Sequence, residues 1–321
     1  MKVLFVCSGN NNGISNIVAE QARLLKKSGV AIEFYPIQGK GAPGYLKNIP
    51  KLFAYLQKNR FDLVHAHYSF SGYVAALARA RPLVVSLMGS DVNRSPLFSS
   101  TNSLFSRLSW NATIVKSPDM LKSRSFKNMS VIPNGVDTGR FTPMDQAICQ
   151  HKLGWDSDKF HVLFPANPSR PEKNYALAKQ AIHQVSADKK IVLHELVNVR
   201  HEDIPVYMNA SDLILLTSKW EGSPNVIKEA MACNRPIVST DVGDVRHLFG
   251  DVSGYFLSTH KPGGVTDKLQ EAIVFCESNG SAEGRRRILS LGLNSEAISE
   301  RIVTIYNQVS HGERRHLALD A

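Results

Sequence analysis

Two textures alternate along this chain. Short, mostly apolar runs occupy residues 2–7, 31–36, 61–68, 83–87 and 112–116, and again 161–164, 191–195, 213–217 and 237–240. Between them lie longer stretches with apolar residues every three or four positions: from near Ser15, over 44–60, over 71–77, through 182, over 226–233, over 263–277 and over 295–309. Continuous apolar runs suit strands buried on both faces, and the wider spacing suits helices with one face inward. Strand and helix in regular alternation predict an α/β fold built on parallel sheets. Within 44–60 a break or restart is expected at Pro50, since proline ends or opens a helix.

A length of 321 residues suggests two domains, 1–141 and 142–298, followed by 299–321. Residues 142–160 read as a linker with one helix, and the tail from His311 reads as disordered. Hydrophobic residues make up 43% of the chain, ample for two cores. The apolar run after Met1 and Lys2 is too short for a secretory leader, and no stretch nears the roughly 20 apolar residues of a membrane span. Cys7, Cys149, Cys233 and Cys276 are scattered without a C-x-x-C pair. They are expected to be reduced packing residues in a cytoplasmic protein, with no structural zinc.

The net charge of +10 is uneven: residues 1–141 hold 18 Lys and Arg against 6 Asp and Glu, while the remainder is close to neutral. A basic first half attracts anionic lipid, nucleic acid or anionic substrate. The stripe Leu46, Ile49, Leu52, Phe53 and Leu56, with Lys47, Lys51, Lys58 and Arg60 interspersed, is a candidate membrane-facing surface. So is 94–110, with Leu97, Phe98, Leu104, Phe105, Leu108 and Trp110. Core-facing packing with a solvated back is the commoner origin of both stripes. Few aromatics interleave with the basic residues, which argues against a nucleic-acid binder.

The densest candidate chemistry is Glu221–Glu229, E-G-S-P-N-V-I-K-E. It places Glu221, Gly222, Ser223 and Pro224 on a strand-to-helix turn, with Glu229 about two turns into the helix. The first N–H groups of a helix are free and its dipole attracts anions. Gly222 lets backbone approach a ligand closely. Two carboxylates beside an anion site suit a ligand that carries both phosphates and hydroxyls. Spacing alone fits equally an ordinary strand–loop–helix with solvated glutamates. Arg170 and Lys173, in the loop after 161–164, are suited to neutralise a diphosphate.

In the first half, Gly9 and Gly13 follow the first strand without forming G-x-G-x-x-G, so no dinucleotide fingerprint is present. His65 and His67 end a strand, where residues line the crevice of open α/β sheets. No acidic or cysteine partner near them supports a metal site. Asp156-Ser157-Asp158 spells D-x-D in a polar loop and reads as surface charge, and Arg285-Arg286-Arg287 reads as a solvated helix face.

Residues 207–244 resemble the donor region of the retaining glycosyltransferases of family 4, which have the GT-B fold. Supporting stretches are H-x-H-Y at 65–68 and P-N-G-V-D at 133–137. The local wording is similar to enzymes of bacterial surface-polysaccharide assembly, the teichuronic-acid type among them. The resemblance is dense over 161–248 and sparse over 1–141. It implies two Rossmann-like, doubly wound domains facing a cleft, an acceptor-binding one and a donor-binding one, with the last helix crossing back to the first. It implies metal-independent transfer from a nucleotide-sugar, here a UDP-sugar, which is a substrate and not a cofactor.

By that resemblance, Glu221 binds hydroxyls of the donor sugar and Glu229 those of the ribose. Arg170, Lys173 and the turn Gly222, Ser223, Pro224, Asn225 and Val226 take the diphosphate. The loop with Val197 and Asn198 holds the base, Gly13 matches a cleft glycine, and His67 lies beside the transferred sugar while His65 points back into the sheet. Ser90 and Asp91 are acceptor candidates, although Met88 stands where the family commonly has histidine. The expected acceptor is a glycan or lipid-linked glycan at the inner membrane face. Alternatives are a GT-B enzyme of other chemistry, such as epimerisation, and a non-catalytic nucleotide-sugar-binding protein.

Overall fold

The computed structural model describes residues 1–10, 13–89, 96–121, 128–185 and 190–319. The chain divides into two compact units, one of residues 1–135 with 295–321, the other of residues 136–294.

The first unit opens with β1 (Lys2–Ser8), α1 (Asn16–Lys27), β2 (Ala31–Ile37), α2 (Gly41–Leu46), α3 (Asn48–Lys58), β3 (Leu63–His67) and α4 (Ser69–Leu77). It continues through β4 (Leu83–Ser86), α5 (Pro96–Leu108), β5 (Ala112–Val115) and β6 (Met129–Val131). All six strands are parallel, in the order β2-β1-β3-β4-β5-β6. The helix break expected at Pro50 falls instead at Lys47, and Pro50 sits in the first turn of α3. A first-turn N–H has no intrahelical acceptor, so proline costs nothing there.

Alternation along the strands sorts this unit's core into two faces. Leu4 and Val6 of β1, Val64 and Ala66 of β3 and Val85 of β4 pack with Leu52, Val74 and Trp110. The opposite positions, Val3 and Phe5 on β1 and His65 and His67 on β3, are buried on the other face. There α1 presents Val18, Ala22 and Leu25, and is in contact with a helix from the far end of the sequence.

The second unit runs α6 (Gln146–Leu153), β7 (Phe160–Phe164), α7 (Tyr175–Val185), β8 (Ile191–Glu195), α8 (Ile204–Ala210), β9 (Leu213–Leu216) and α9 (Asn225–Ala232). It ends with β10 (Ile237–Thr240), α10 (Val245–Phe249), β11 (Tyr255–Ser258), α11 (Pro262–Asn279) and α12 (Gly284–Ser290). Its five parallel strands follow the order β11-β10-β9-β7-β8. Both sheets therefore place their first strand inside, the second to one side and the rest to the other. That reversal makes a switch point between β1 and β3 in one unit and between β7 and β9 in the other. Ligands of such sheets bind outside the carboxyl ends of the strands at this point.

Several sequence expectations are corrected here. Residues 142–160 are not a linker but a packed part of the second unit. Asp145 caps α6 by accepting from Ile148 N at 2.9 Å, and Gln146 and Gln150 donate to Asp212 Oδ1 (2.8 Å) and Ala210 O (3.1 Å). Arg285 and Arg287 are not a solvated face. Arg285 donates to Thr138 O (2.8 Å), Phe141 O (2.9 Å) and Ala232 O (3.3 Å), and Arg287 to His247 O (2.9 Å) and Leu248 O (3.2 Å). Of the three arginines only Arg286, 83% exposed beside Glu283, matches the expectation. Finally, helix α13 spans Ser295–Leu319, so helical backbone continues past His311. It belongs to the first unit, against α1.

Candidate functional site

In the second unit the loops that leave β7 and β9 are stitched together at the switch point. The Thr217 hydroxyl reaches Lys173 O (3.1 Å) and Asn174 O (3.0 Å), Lys219 N donates to Glu172 O (2.8 Å), and Thr240 Oγ1 donates to Ser218 O (2.7 Å). This scaffold brings Lys173 to Glu221: the ammonium donates to Oε1 at 2.5 Å, and Ser218 Oγ donates to the same oxygen at 2.7 Å. The two side chains are only 8% and 16% exposed. An ammonium and a carboxylate so far out of water must be held by their surroundings, because desolvation offsets most of their attraction.

Arg170 is placed differently. It is 56% exposed and forks onto Glu172 Oε1 at 2.8 and 2.6 Å. Glu172 is held below the usual carboxylate range by its own backbone N–H and by Arg170. An exposed pair of this kind is worth about 0–1 kcal/mol, so Arg170 leaves it cheaply for another anion.

The turn after β9 delivers Gly222, Ser223 and Pro224 to α9. Pro224 is the N-cap and provides no side-chain bond, which leaves the first N–H groups, from Asn225 and Val226 onward, without a capping acceptor. The Asn225 side-chain oxygen is likewise without a partner among the described residues. Gly243 locks this turn from below, since a Cβ there would lie 2.3 Å from Gly222 O. Glu229 is the fifth residue of α9, one turn in and not two. Its side chain is 12% exposed, and the carboxylate lies 3.8 Å from His201 Nε2. Arg140 Nη1 donates to His201 Nδ1 at 2.9 Å, so a neutral His201 carries its proton on Nε2, facing Glu229. Val197 and Asn198 sit in the exposed loop after β8, where Asn198 takes φ +55.

In the first unit, Gly13 adopts φ +106 and bridges to Asn10, whose side chain clasps Gly39 in both directions at 2.7 and 2.8 Å. A Cβ on Gly13 would touch nothing, so its backbone conformation is what calls for glycine. His65, expected to point back into the sheet, is buried and bonded to Ser86 of the neighbouring strand, and it lies on the same side as His67. Two apart on one strand, they share a face, and their rings lie 4.3 Å apart.

What separates the two histidines is their bonding. His65 is satisfied on both nitrogens, Nδ1 by the Tyr306 hydroxyl of α13 (2.6 Å) and Nε2 by Ser86 Oγ (2.8 Å). His67 is 2% exposed, with neither nitrogen paired among the described residues. Burial, with the Lys116 charge nearby, pulls its pKa down to about 3, so the ring is neutral. Burial also pulls His65 well down, helped by His67 and Lys116. Ser90 and Asp91 lie outside the described residues.

Sequence reasoning did not single out Tyr306, His201, Lys228 or Asp244. Tyr306 sits on a helix more than two hundred residues from its partner, and no local pattern could have paired them. Lys228, fully buried beside Glu229, could have been noticed as a lysine on the inward face of an apolar helix. Among the described residues no group of three or more His, Cys, Asp or Glu side chains is placed to hold a metal ion. Nor is any described helix long and apolar enough to cross a membrane.

Comparison with known proteins gives these observations a context. Residues 17–140 match the family model "Glycosyltransferase Family 4", and residues 159–274 match "Glycosyl transferases group 1". A curated relative, the Bacillus subtilis (strain 168) glycosyltransferase TuaC assigned to teichuronic acid biosynthesis, is 31% identical over 216 residues. The match covers 59% of this chain and 55% of that protein, so the chain spans little more than half the relative's length.

Sucrose-phosphate synthase from Thermosynechococcus elongatus superposes with a TM-score of 0.80 over 97% of this chain and 99% of that one, at 17% identity. The Anabaena protein Alr3699/HepE, solved with UDP and glucose, gives a TM-score of 0.66 over 98% and 100%, at 21% identity. These likenesses establish the GT-B fold. With both halves of the sequence matched by glycosyltransferase models, the chain belongs to family 4 of the glycosyltransferases.

Proposed function

We propose that the chain is a retaining glycosyltransferase that moves a sugar from a UDP-sugar to a glycan or lipid-linked acceptor in cell-surface polysaccharide assembly. The observation that carries this reading is the buried Lys173–Glu221 pair at the β7/β9 switch point, beside the uncapped start of α9. The pair offers a cation for a phosphate and a carboxylate for sugar hydroxyls within 2.5 Å of one another. HepE, which shares the fold, is solved with UDP and glucose, and TuaC is assigned to teichuronic acid biosynthesis.

In this reading the leaving diphosphate lies against Lys173, the N–H groups of α9 and Arg170 once it has left Glu172. These fixed charges and dipoles stabilise the negative charge that develops as the bond between the sugar's anomeric carbon and the phosphate oxygen breaks. Glu221 orients the donor sugar, Glu229 accepts from the ribose hydroxyls, and the loop with Val197 and Asn198 meets the base. The new bond forms from the acceptor oxygen on the same face, and the acceptor proton passes to the departing phosphate oxygen. No divalent ion is required in this scheme.

For His67 the resemblance supplies the role, a contact with the transferred sugar, and its two ring nitrogens are without a partner among the described residues. The basic first unit, with Leu46 at 57% and Leu108 at 67% exposure, suits an acceptor held at an anionic membrane surface.

The test is transfer. Each of several UDP-sugars is incubated with the protein and lipid-linked glycan acceptors, and the product's anomeric configuration is read by NMR. The reading predicts a glycan extended by one sugar with the donor's configuration kept, and loss of product in Glu221→Gln. Inverted product, or an epimerised nucleotide-sugar without transfer, would overturn it.

A further inference from the structure

Ser223 stands in the anion-binding turn, yet its hydroxyl is engaged inward. Lys228, one helical turn on in α9, donates from Nζ to Ser223 Oγ at 3.1 Å. Asp244, at the start of α10, lies beside this pair, where the Lys228 charge and the Ser223 hydroxyl both favour its ionised form against burial. A lone pair of the hydroxyl is thus committed to the ammonium, and the buried Asp244 carboxylate is the acceptor at hand for its proton. Both clamping groups are buried, Lys228 completely and Asp244 to 8% exposure. Directly beneath, Gly243 at φ +57 meets Gly222 O, so the 242–244 turn and the 222–225 turn interlock on both sides of the clamp.

We infer that Lys228 and Asp244 are positioning residues which act through the Ser223 hydroxyl to hold the backbone N–H groups of the 222–225 turn in their anion-binding geometry. The inference rests on the donor-site reading above, and adds to it a pair of charges that never touch the ligand.

The burial of both groups is informative. A solvated lysine at this point would leave the hydroxyl free to rotate. A buried one cannot, because moving it uncovers an unpaired ion in an apolar helix interface. Burial pulls the Lys228 ammonium down to about 8 and pushes the Asp244 carboxyl up, each opposed by the other's charge. Glu229 also faces Lys228, and His247 faces Asp244. An arrangement that costs stability on both partners is expected to be kept for geometry.

The experiment uses the intact chain and calorimetric titration. The wild type is first titrated with UDP, GDP and ADP, then with the parent nucleoside of the tightest binder. The same pair of ligands is given to Ser223→Ala, Ser223→Thr and the charge-free double variant Lys228→Met/Asp244→Asn. The inference predicts roughly tenfold weaker diphosphate binding in Ser223→Ala and in the double variant, with nucleoside binding within about twofold of wild type and recovery in Ser223→Thr. Because the buried Lys228 ammonium loses a partner in Ser223→Ala, its melting temperature is expected to fall by about 2–8 °C, and the titrations are made at a temperature well below that transition.

Wild-type diphosphate affinity in both Ser223→Ala and the double variant would overturn the inference while leaving the donor site intact. Loss in Ser223→Ala alone would make Ser223 a direct ligand and would also overturn it. A wild type that binds none of the three diphosphates would remove the donor-site reading itself, and the inference with it.

Discussion

Tyr306→Phe removes one oxygen from the first unit's most remote pairing. Tyr306 is completely buried and its hydroxyl meets His65 Nδ1 at 2.6 Å. His65 is itself fully buried on β3, with Nε2 taken by Ser86. Without the hydroxyl, Nδ1 is stranded where no water reaches it, and leaving one buried polar atom unpaired costs about 1–3 kcal/mol. Phenylalanine keeps the ring and hence the packing, so no cavity contribution is added.

For a unit of this size, each kcal/mol lowers the melting temperature by roughly 2–4 °C. A fall of about 4–8 °C is therefore expected for a loss near 2 kcal/mol. Trp110 is the sole tryptophan of the first unit, buried among its helices, while Trp155 and Trp220 belong to the second. In a Trp155→Phe/Trp220→Phe background, fluorescence follows the first unit alone. An unchanged Trp110 transition in Tyr306→Phe would refute the claim that this bond pins α13 to the sheet.

Other consequences are equally direct. Arg285→Met should lower stability by about 2–3 kcal/mol in urea unfolding, because three carbonyls lose a charged donor, whereas Arg286→Ala should stay within about 0.5 kcal/mol. Acid should weaken the fold through His67. Its folded pKa, near 3, lies below the unfolded value near 6.5, so the unfolded chain binds the extra proton between those values. Stability is complete above pH 6.5 and falls as pH drops, by at most about 2 kcal/mol from this residue between pH 6.5 and 5. His194, pulled down to about 4 by burial and by His161, acts in the same direction. His67→Phe should flatten that slope in urea midpoints measured from pH 7.5 to 5.

Much of the fold could be read from the sequence because buried parallel strands announce themselves. Val3–Val6 and Leu213–Leu216 are unbroken apolar runs, and both are fully buried. The candidate donor residues were legible for the same reason: Lys173, Glu221 and Glu229 follow such strands closely. What local pattern could not reveal depends on distant partners. Arg285 looked solvated because its run is uniformly basic, yet its acceptors lie at Thr138 and Phe141. That His65 and His67 share a side follows from their two-residue spacing, but the Tyr306 and Ser86 partners that set His65 apart do not. The bond between Lys228 and the Ser223 hydroxyl was not read from the sequence, although the two lie five residues apart, and Asp244 reaches them only through the fold.

The donor site is tested most directly by ligand-induced stabilisation. Melting is followed with a panel of UDP-, GDP- and ADP-sugars, with Glu229→Ala beside the wild type. A ligand that binds only the folded chain stabilises it by about 2.7 kcal/mol at a hundredfold excess over Kd. The account predicts a clear upward shift with UDP-sugars that is lost in Glu229→Ala. An equal shift in the variant, or none with any nucleotide-sugar in the wild type, would contradict it.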